Sequence, residues 1–275
     1  MAVLAIHQPD ARSGARLGAA LSGAHRFVSF DTWARLMEGL SSGGLEGALL
    51  DADHPNRTDA LARIRLLRAT FPDLALVGFT ERTVPGEYFD LGQSGLEAFV
   101  AEADGPLTTR NAVDEALAVR RGRVVSRLLQ PYLPPPGPRA IGWTLSHSGT
   151  AARVDDLAHA LGFSLYALRG ILHERALPAP SVLMLWGRLL AAAGRLYGDG
   201  RKVEETAFAL GYASAPSLAR ALRAHTGLTP RQVAQTRFSR ILAMLVESVR
   251  ETDQPPVFEE PVIPPTCSAP TPIGS

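Results

Sequence analysis

Residues 203–230, VEETAFALGYASAPSLARALRAHTGLTP, hold the pattern around which the rest of the chain can be ordered. Val203, Ala207 and Leu210 recur at i, i+4 and i+7, one face of a short helix. Gly211 follows, and glycine enters the left-handed backbone region without a steric cost, so a sharp turn is expected there. Ser214 is placed to cap a second helix, with Pro216 in its first turn, where amide protons have no helical partner. In that helix Leu218, Ala221 and Leu222 face inward, and Ser217, Arg220 and Arg223 face outward. Gly227 ends it, and Thr229-Pro230 opens a third helix. Two short helices across a tight turn, with small Ala207 at the crossing, make a helix-turn-helix. An ordinary helical hairpin is the structural alternative.

The layout occurs a second time, 49 residues upstream: Leu157-Ala158, Leu161 and Gly162-Phe163 stand in the places of Thr206-Ala207, Leu210 and Gly211-Tyr212. Ser164 would cap the corresponding helix, with Leu168, Ile171 and Leu172 inward and Tyr166, Arg169 and His173 outward. A helix over 181–197, carrying Arg188 and Ala192, would join the two units. A final amphipathic helix is expected over 232–249.

Ala207, Gly211-Tyr212, Leu218, Arg220, Leu222, Gly227 and Thr229-Pro230 resemble the second helix-turn-helix of AraC-type transcription regulators. The likeness runs over residues 150–235. It implies a double-stranded DNA partner, with two recognition helices entering successive major grooves. Carried over position by position, Tyr166, Arg169 and His173 meet the first groove. Ser214, Ser217, Arg220 and Arg223 meet the second. Arginine can pair bidentately with guanine or bind phosphate, and serine suits either. The sequence departs from the pattern at Gly170, where an arginine is usual, and at Leu177, which replaces a turn glycine. Ala215, Pro216 and Ala219 stand where polar side chains would read bases, so specificity is expected to be narrow or to lean on DNA shape.

The overall charge of +1 conceals a division. Residues 1–120 carry net −5, 121–138 net +3, 139–250 net +7 and 251–275 net −4. An acidic half joined to a basic half suits a sensor fused to a nucleic-acid reader. The single Cys267 excludes an intramolecular disulfide, no stretch is apolar enough to span a membrane, and no secretory signal is evident, which together suggest a cytoplasmic protein.

In the first 120 residues short apolar strands alternate with helices. Strands are expected over 2–6, 26–30, 45–50, 74–79 and 98–101, and helices over 10–21, 32–40, 58–70 and 109–129. That order predicts an α/β domain with a parallel sheet. It resembles the receiver domain of response regulators, a flavodoxin-like fold. Asp51 falls at that family's phosphoacceptor position, Pro55 four residues on, and Thr80 at its switch hydroxyl. The acidic pair that would hold magnesium is replaced by His7 and Gln8, and the expected lysine by Glu102. Phosphoryl transfer to a carboxylate needs a hard cation and nearby positive charge, so the domain is read as receiver-like and not phosphorylated in the usual way. Strand ends of such sheets bind ligands, which keeps a small-molecule site near His7, Asp51 and Thr80 open.

Pro131–Pro138 reads as an extended, semi-rigid spacer. Arg120, Arg121, Arg123 and Arg127 before it are either a solvated face or further phosphate contacts. Val113, Leu117, Val124, Val125, Leu128 and Leu129 form an apolar stripe that could pair with a second copy or pack within the domain. The division is therefore 1–120 receiver-like domain, 121–138 helix extension and proline-rich linker, 139–250 AraC-type DNA-binding domain, and 251–275 disordered acidic tail.

Gly39-Leu-Ser-Ser-Gly43 satisfies G-x-S-x-G, but a helix precedes it and a glycine-rich loop follows, so Ser41 is a loop serine and not a nucleophile. No zinc spacing, Walker loop or dinucleotide fingerprint is present, no cofactor is implied, and His54 beside Asp51 and Asp53 reads as a solvated turn. The resulting expectation is a non-enzymatic, sequence-specific DNA-binding regulator whose receiver-like domain controls assembly, as a homodimer through that domain and residues 113–129, or DNA occupancy. The alternatives are a protein-interaction module that has lost DNA readout and a response regulator phosphorylated at Asp51.

Overall fold

The computed structural model describes residues 2–81, 91–149, 152–198 and 202–251. The tail from 252 onward, with Cys267, lies outside them.

The first half alternates β1 (Val3–His7), α1 (Ala11–Leu21), β2 (Arg26–Phe30), α2 (Trp33–Ser41), β3 (Gly47–Asp51), α3 (Arg57–Thr70), β4 (Ala75–Thr80) and β5 (Ala98–Ala101). Polar caps start each of the three helices: Asp10 accepts from the Ser13 amide, Thr32 from Arg35 and Asn56 from Asp59. All strand pairings are parallel, in the order β2-β1-β3-β4-β5, the flavodoxin-like order. Side chains alternate across the sheet with period two, which divides the apolar set into two layers. Leu4, Ile6, Leu49, Val77 and Phe79 meet α1 and α4 (Pro106–Leu129) on one face. Ala5, Ala48, Leu50 and Leu76 meet Leu36 and Leu40 of α2 and Leu61, Ile64 and Leu67 of α3 on the other.

The second half is helical: α5 (Gly137–Ser146), α6 (Val154–Ala160), α7 (Leu165–Glu174), α8 (Pro180–Ala193) running into a π-helical turn (Gly194–Gly198), α9 (Val203–Ala209), α10 (Ala215–Thr226), α11 (Pro230–Gln235) and α12 (Phe238–Glu251). Its core centres on Leu183, Trp186, Leu189 and Leu190 of α8, all fully buried, with Leu168, Leu172, Leu218, Leu222 and Ile241 around them.

Three expectations change, and a fourth reading, open between two alternatives, is decided for most of its residues. Residues 131–138 do not form an extended spacer: Leu133 is buried, and Gly137 and Pro138 already belong to α5, where proline is accommodated in the first turn. Residues 232–249 are not one helix. The chain leaves helical geometry at Thr236 (φ −97°, ψ 129°), and α12 restarts at Phe238. Ser41 is the last residue of α2, its hydroxyl donating to the Met37 carbonyl. Of the apolar stripe in α4, Val113 and Leu117 enter the α/β core and Val125 and Leu129 the helical core, so those four are consumed within the chain. Leu128 is left exposed.

Candidate nucleic-acid interface

The two helix pairs in the second half are built alike down to their backbone bonds. In the first, Gly162 turns the chain at φ +82° and the Phe163 amide donates to the Ala158 carbonyl at 2.9 Å. In the second, Gly211 turns it at φ +75° and the Tyr212 amide donates to Ala207 at 2.9 Å. These bonds close the end of α6 and α9 and set the angle at which α7 and α10 leave. Ser164 caps α7 through the Ala167 amide at 3.2 Å, and Ser214 caps α10 through the Ser217 amide at 3.4 Å. Gly227, at φ +68°, ends α10, and Thr229 with Gln232 forms a capping box on α11. Where a turn glycine was missed at Leu177, the neighbouring Ala176 takes the left-handed backbone instead, at φ +52°, and Leu177 is buried.

On α7, Tyr166 is 90% exposed, and Arg169 and His173 are exposed one and two turns on. On α10, Arg220 and Arg223 are exposed. The two serines are less available. Ser214 and Ser217 are half-buried, their hydroxyls are 3.0 Å apart, and Ser217 is also approached by an Arg220 guanidinium nitrogen at 3.5 Å. Ser214 is thus first a helix cap. None of the ion pairs among the described residues reaches Arg169, Arg220 or Arg223, whereas Arg35, Arg57, Arg68, Arg120, Arg123 and Arg127 are all paired with carboxylates.

Residues 157–236 match a family model described as a helix-turn-helix domain. This region is an AraC-type helix-turn-helix domain. The match begins within α6, runs through α7, α8 and the second helix pair, and stops before α12. No curated protein matches the chain in sequence. Among solved structures, a response regulator from Thermotoga maritima aligns at 11% identity over 42% of this chain and 98% of its own, with a TM-score of 0.40. A pilus assembly-related protein from Burkholderia pseudomallei aligns at 20% identity over 43% of this chain and 90% of its own, TM-score 0.39. A pilus assembly protein from Burkholderia thailandensis aligns at 18% over 42% and 98%, TM-score 0.38. The sheet order, and not these scores, carries the fold assignment of the α/β half.

At the carboxyl ends of its strands the α/β half holds a cleft lined by Gln8, Asp10, Asp51, Asp53, His54, Asn56, Arg57 and Glu81. Asp51 ends β3, and one of its oxygens accepts from the Asp53 amide at 2.8 Å. The surprise is Asp53. Its carboxylate takes Arg57 through Nε and Nη2 at 3.1 and 2.7 Å, the Thr80 hydroxyl at 2.8 Å and the Glu81 amide at 3.0 Å. Burial alone would raise its pKa. The bonds from Thr80, Arg57 and Glu81 outweigh that and hold it below the ordinary carboxylate value. Thr80 is therefore engaged with Asp53 and Arg57.

His7 is buried, its Nδ1 at 3.1 Å from the Phe30 carbonyl, which requires the proton on that nitrogen. Gln8 accepts from the Asp10 amide, and its Nε2 is buried without a partner. Glu102 is exposed, and its carbonyl accepts from Arg16, whose guanidinium lies 5.4 Å from the centre of the Phe79 ring. Among the described residues no group of three His, Cys, Asp or Glu side chains could hold a metal ion. His54 is exposed, as a solvated turn requires, but Asp53 beside it is half-buried and bonded within the chain. Spacing could not find Asp53 or Arg57, because Thr80 lies 27 residues from the first and 23 from the second.

Proposed function

We propose that the chain is a sequence-specific DNA-binding transcription regulator that reads double-stranded DNA with α7 and α10. The observation that carries this is the pair of exposed recognition faces bearing Tyr166, Arg169, His173, Arg220 and Arg223, whose arginines have no counter-ion within the described chain. An exposed guanidinium without an internal carboxylate is available to phosphate or guanine. Ser217 contributes at the edge of the second face and Ser214 mainly by holding the helix. With alanine and proline at 215, 216 and 219, base readout rests on few groups, so deformability of the site supplies part of the discrimination.

The α/β half is read as the controlling domain, with Asp51 unphosphorylated. Thr80 already satisfies Asp53, and Arg57 is committed to the same carboxylate, so neither is held in reserve for a phosphoryl group. Self-association belongs to this reading through the α/β half, since most of the stripe in 113–129 is buried within the chain. No described helix is long and apolar enough to cross a membrane.

The test is selection of bound fragments from a genomic pool by the full chain, followed by a salt titration of the best fragment. A regulator making several phosphate contacts loses affinity steeply as salt rises, roughly 10³-fold or more between ~50 and ~200 mM for six contacts. Recovery of no enriched sequence, with salt-independent retention, would instead favour a protein-interaction module.

A further inference from the structure

α4 is 24 residues long and serves two cores. Its first half packs on the sheet through Val113, Ala116 and Leu117; its second half enters the helical core through Val125 and Leu129. Between them sits a ladder of arginines from the set that the sequence offered as a solvated face or as phosphate contacts: Arg121 and Arg127 are exposed, but Arg120, Arg123 and Arg127 each pair with a carboxylate inside the chain. Arg120 donates to the Asp73 carbonyl at 2.7 Å and pairs with Glu46 at 3.1 Å. Arg123 donates to the Leu74 carbonyl at 3.0 Å and pairs with Glu97, and Arg127 pairs with Asp73 at 2.7 Å. Positions 120, 123 and 127 share one helix face, so all three guanidiniums grip the same edge, where β4 and β5 begin.

Glu97 is the centre of that grip. Its side chain is only 5% exposed, and its carboxylate lies between Arg68 of α3 and Arg123 of α4 while accepting from the Leu76 amide at 2.6 Å. A carboxylate this buried persists only when opposing charge and hydrogen bonds replace its lost water. Directly beside Arg123, α4 crosses α5 at backbone contact: a Cβ on Gly142 would lie 2.5 Å from the Gly122 carbonyl oxygen, and one on Gly122 would lie 2.3 Å from that of Gly142. α5 then meets α8 as closely, since a Cβ on Gly187 would stand 2.5 Å from the Thr144 Cβ. α8 is the helix both recognition units share.

We propose that the Glu97 ion cluster and the Gly122–Gly142 crossing fasten the α/β half and the helix-turn-helix half into one cooperatively folded body. Domains joined by a loose tether move and unfold separately by default. Here the path from sheet to recognition helices runs through α4, α5 and α8 in direct contact. The orientation of α7 and α10 is therefore set from the sheet edge opposite the Asp51 cleft. The proposal does not require that these helices read DNA.

Its test is urea unfolding of the full chain followed by pulsed hydrogen exchange and mass spectrometry, reading peptides from residues 47–80 and 180–193 separately. In the unaltered chain the two midpoints coincide. In Arg120→Gln/Arg123→Gln, which removes two of the three rungs while leaving Arg68 on Glu97 and Arg127 on Asp73, they separate by ~0.5 M urea or more. Gly142→Val, which wedges the crossing, separates them as well, and both halves stay protected without urea. Arg35→Gln, which breaks the exposed pair with Asp31, leaves them coincident. Separate midpoints in the unaltered chain would overturn the proposal. So would coincident midpoints in the arginine variant, which decides the matter alone if Gly142→Val does not fold.

Discussion

Replacing Arg220 with alanine removes an exposed guanidinium whose contact within the described chain is a 3.5 Å approach to the Ser217 hydroxyl. So little is attached to it that folding stability should change by less than ~0.5 kcal/mol, and any larger effect on binding is a DNA effect. Two outcomes can be told apart by the salt slope and by base preference. A phosphate contact accounts for about 0.9 of the slope of log affinity against log salt. Extrapolated from about 1 M salt to about 0.1 M, one such contact is a factor of about 8, or roughly 1.2 kcal/mol, and its loss flattens the slope by the same ~0.9. A bidentate guanine contact is worth about 1–3 kcal/mol, and its loss relaxes preference at one base pair while leaving the slope nearly unchanged. Fluorescence anisotropy of the full chain on its best fragment, at four or more salt concentrations, reads both quantities. Arg223→Ala, one turn further along α10, serves as the companion. If each variant binds within about twofold of the parent with the same salt slope, α10 does not lie in the groove and the assignment of this face is wrong.

Three further outcomes follow from the same geometry. Asp53→Asn should destabilise the α/β half by about 1–2 kcal/mol at neutral pH, because the charge facing Arg57 is lost. Asp53 has a lowered folded-state pKa, so its contribution is complete above its unfolded value of about 3.9 and is lost as pH falls through the folded one. The gap between Asp53→Asn and the parent, measured by urea denaturation, should therefore hold from pH 7 to about pH 5 and close in more acid solution; a gap unchanged into acid would refute the account. Gly211→Ala places a side chain at φ +75° and should cost about 1–2 kcal/mol in the same assay while leaving the α7 face intact. Leu222→Ala empties a fully buried site under α10 and should cost about 2–5 kcal/mol, with DNA binding lost in step with folding. Retention of full thermal stability by either variant would show that α10 is not packed as described.

Most of the local architecture could be read from residue order. Caps at Asp10, Thr32, Ser164, Ser214 and Thr229 and turns at Gly162, Gly211 and Gly227 act over three or four residues, so their chemistry is written in adjacent letters. Strand alternation and the 49-residue repeat are likewise periodic signals, and the parallel α/β order followed from them. Two misreadings have local reasons as well. Prolines 134–138 suggested an extended run, yet Pro138 fits the first turn of α5, and the break at Thr236 carries neither glycine nor proline to announce it.

The seven residues proposed for DNA contact were legible as outward positions of two helices, and five of them are exposed. Ser214 and Ser217 are only half-exposed because they bond to one another, a detail of rotamers and not of spacing. The fate of the charges was another matter. Arg68, Arg120, Arg123 and Arg127 look alike in sequence to Arg169, Arg220 and Arg223, but the first group finds carboxylates or carbonyls and the second does not. A helix period gives the face on which a guanidinium stands. Whether a carboxylate waits there depends on segments 26 to 74 residues away in the chain, as Glu97 does for Arg123 and Glu46 for Arg120. Residues 203–230 could thus be read as a helix-turn-helix from local bonding alone. Which arginines remain available to a partner was settled by long-range packing of the sheet edge against α4.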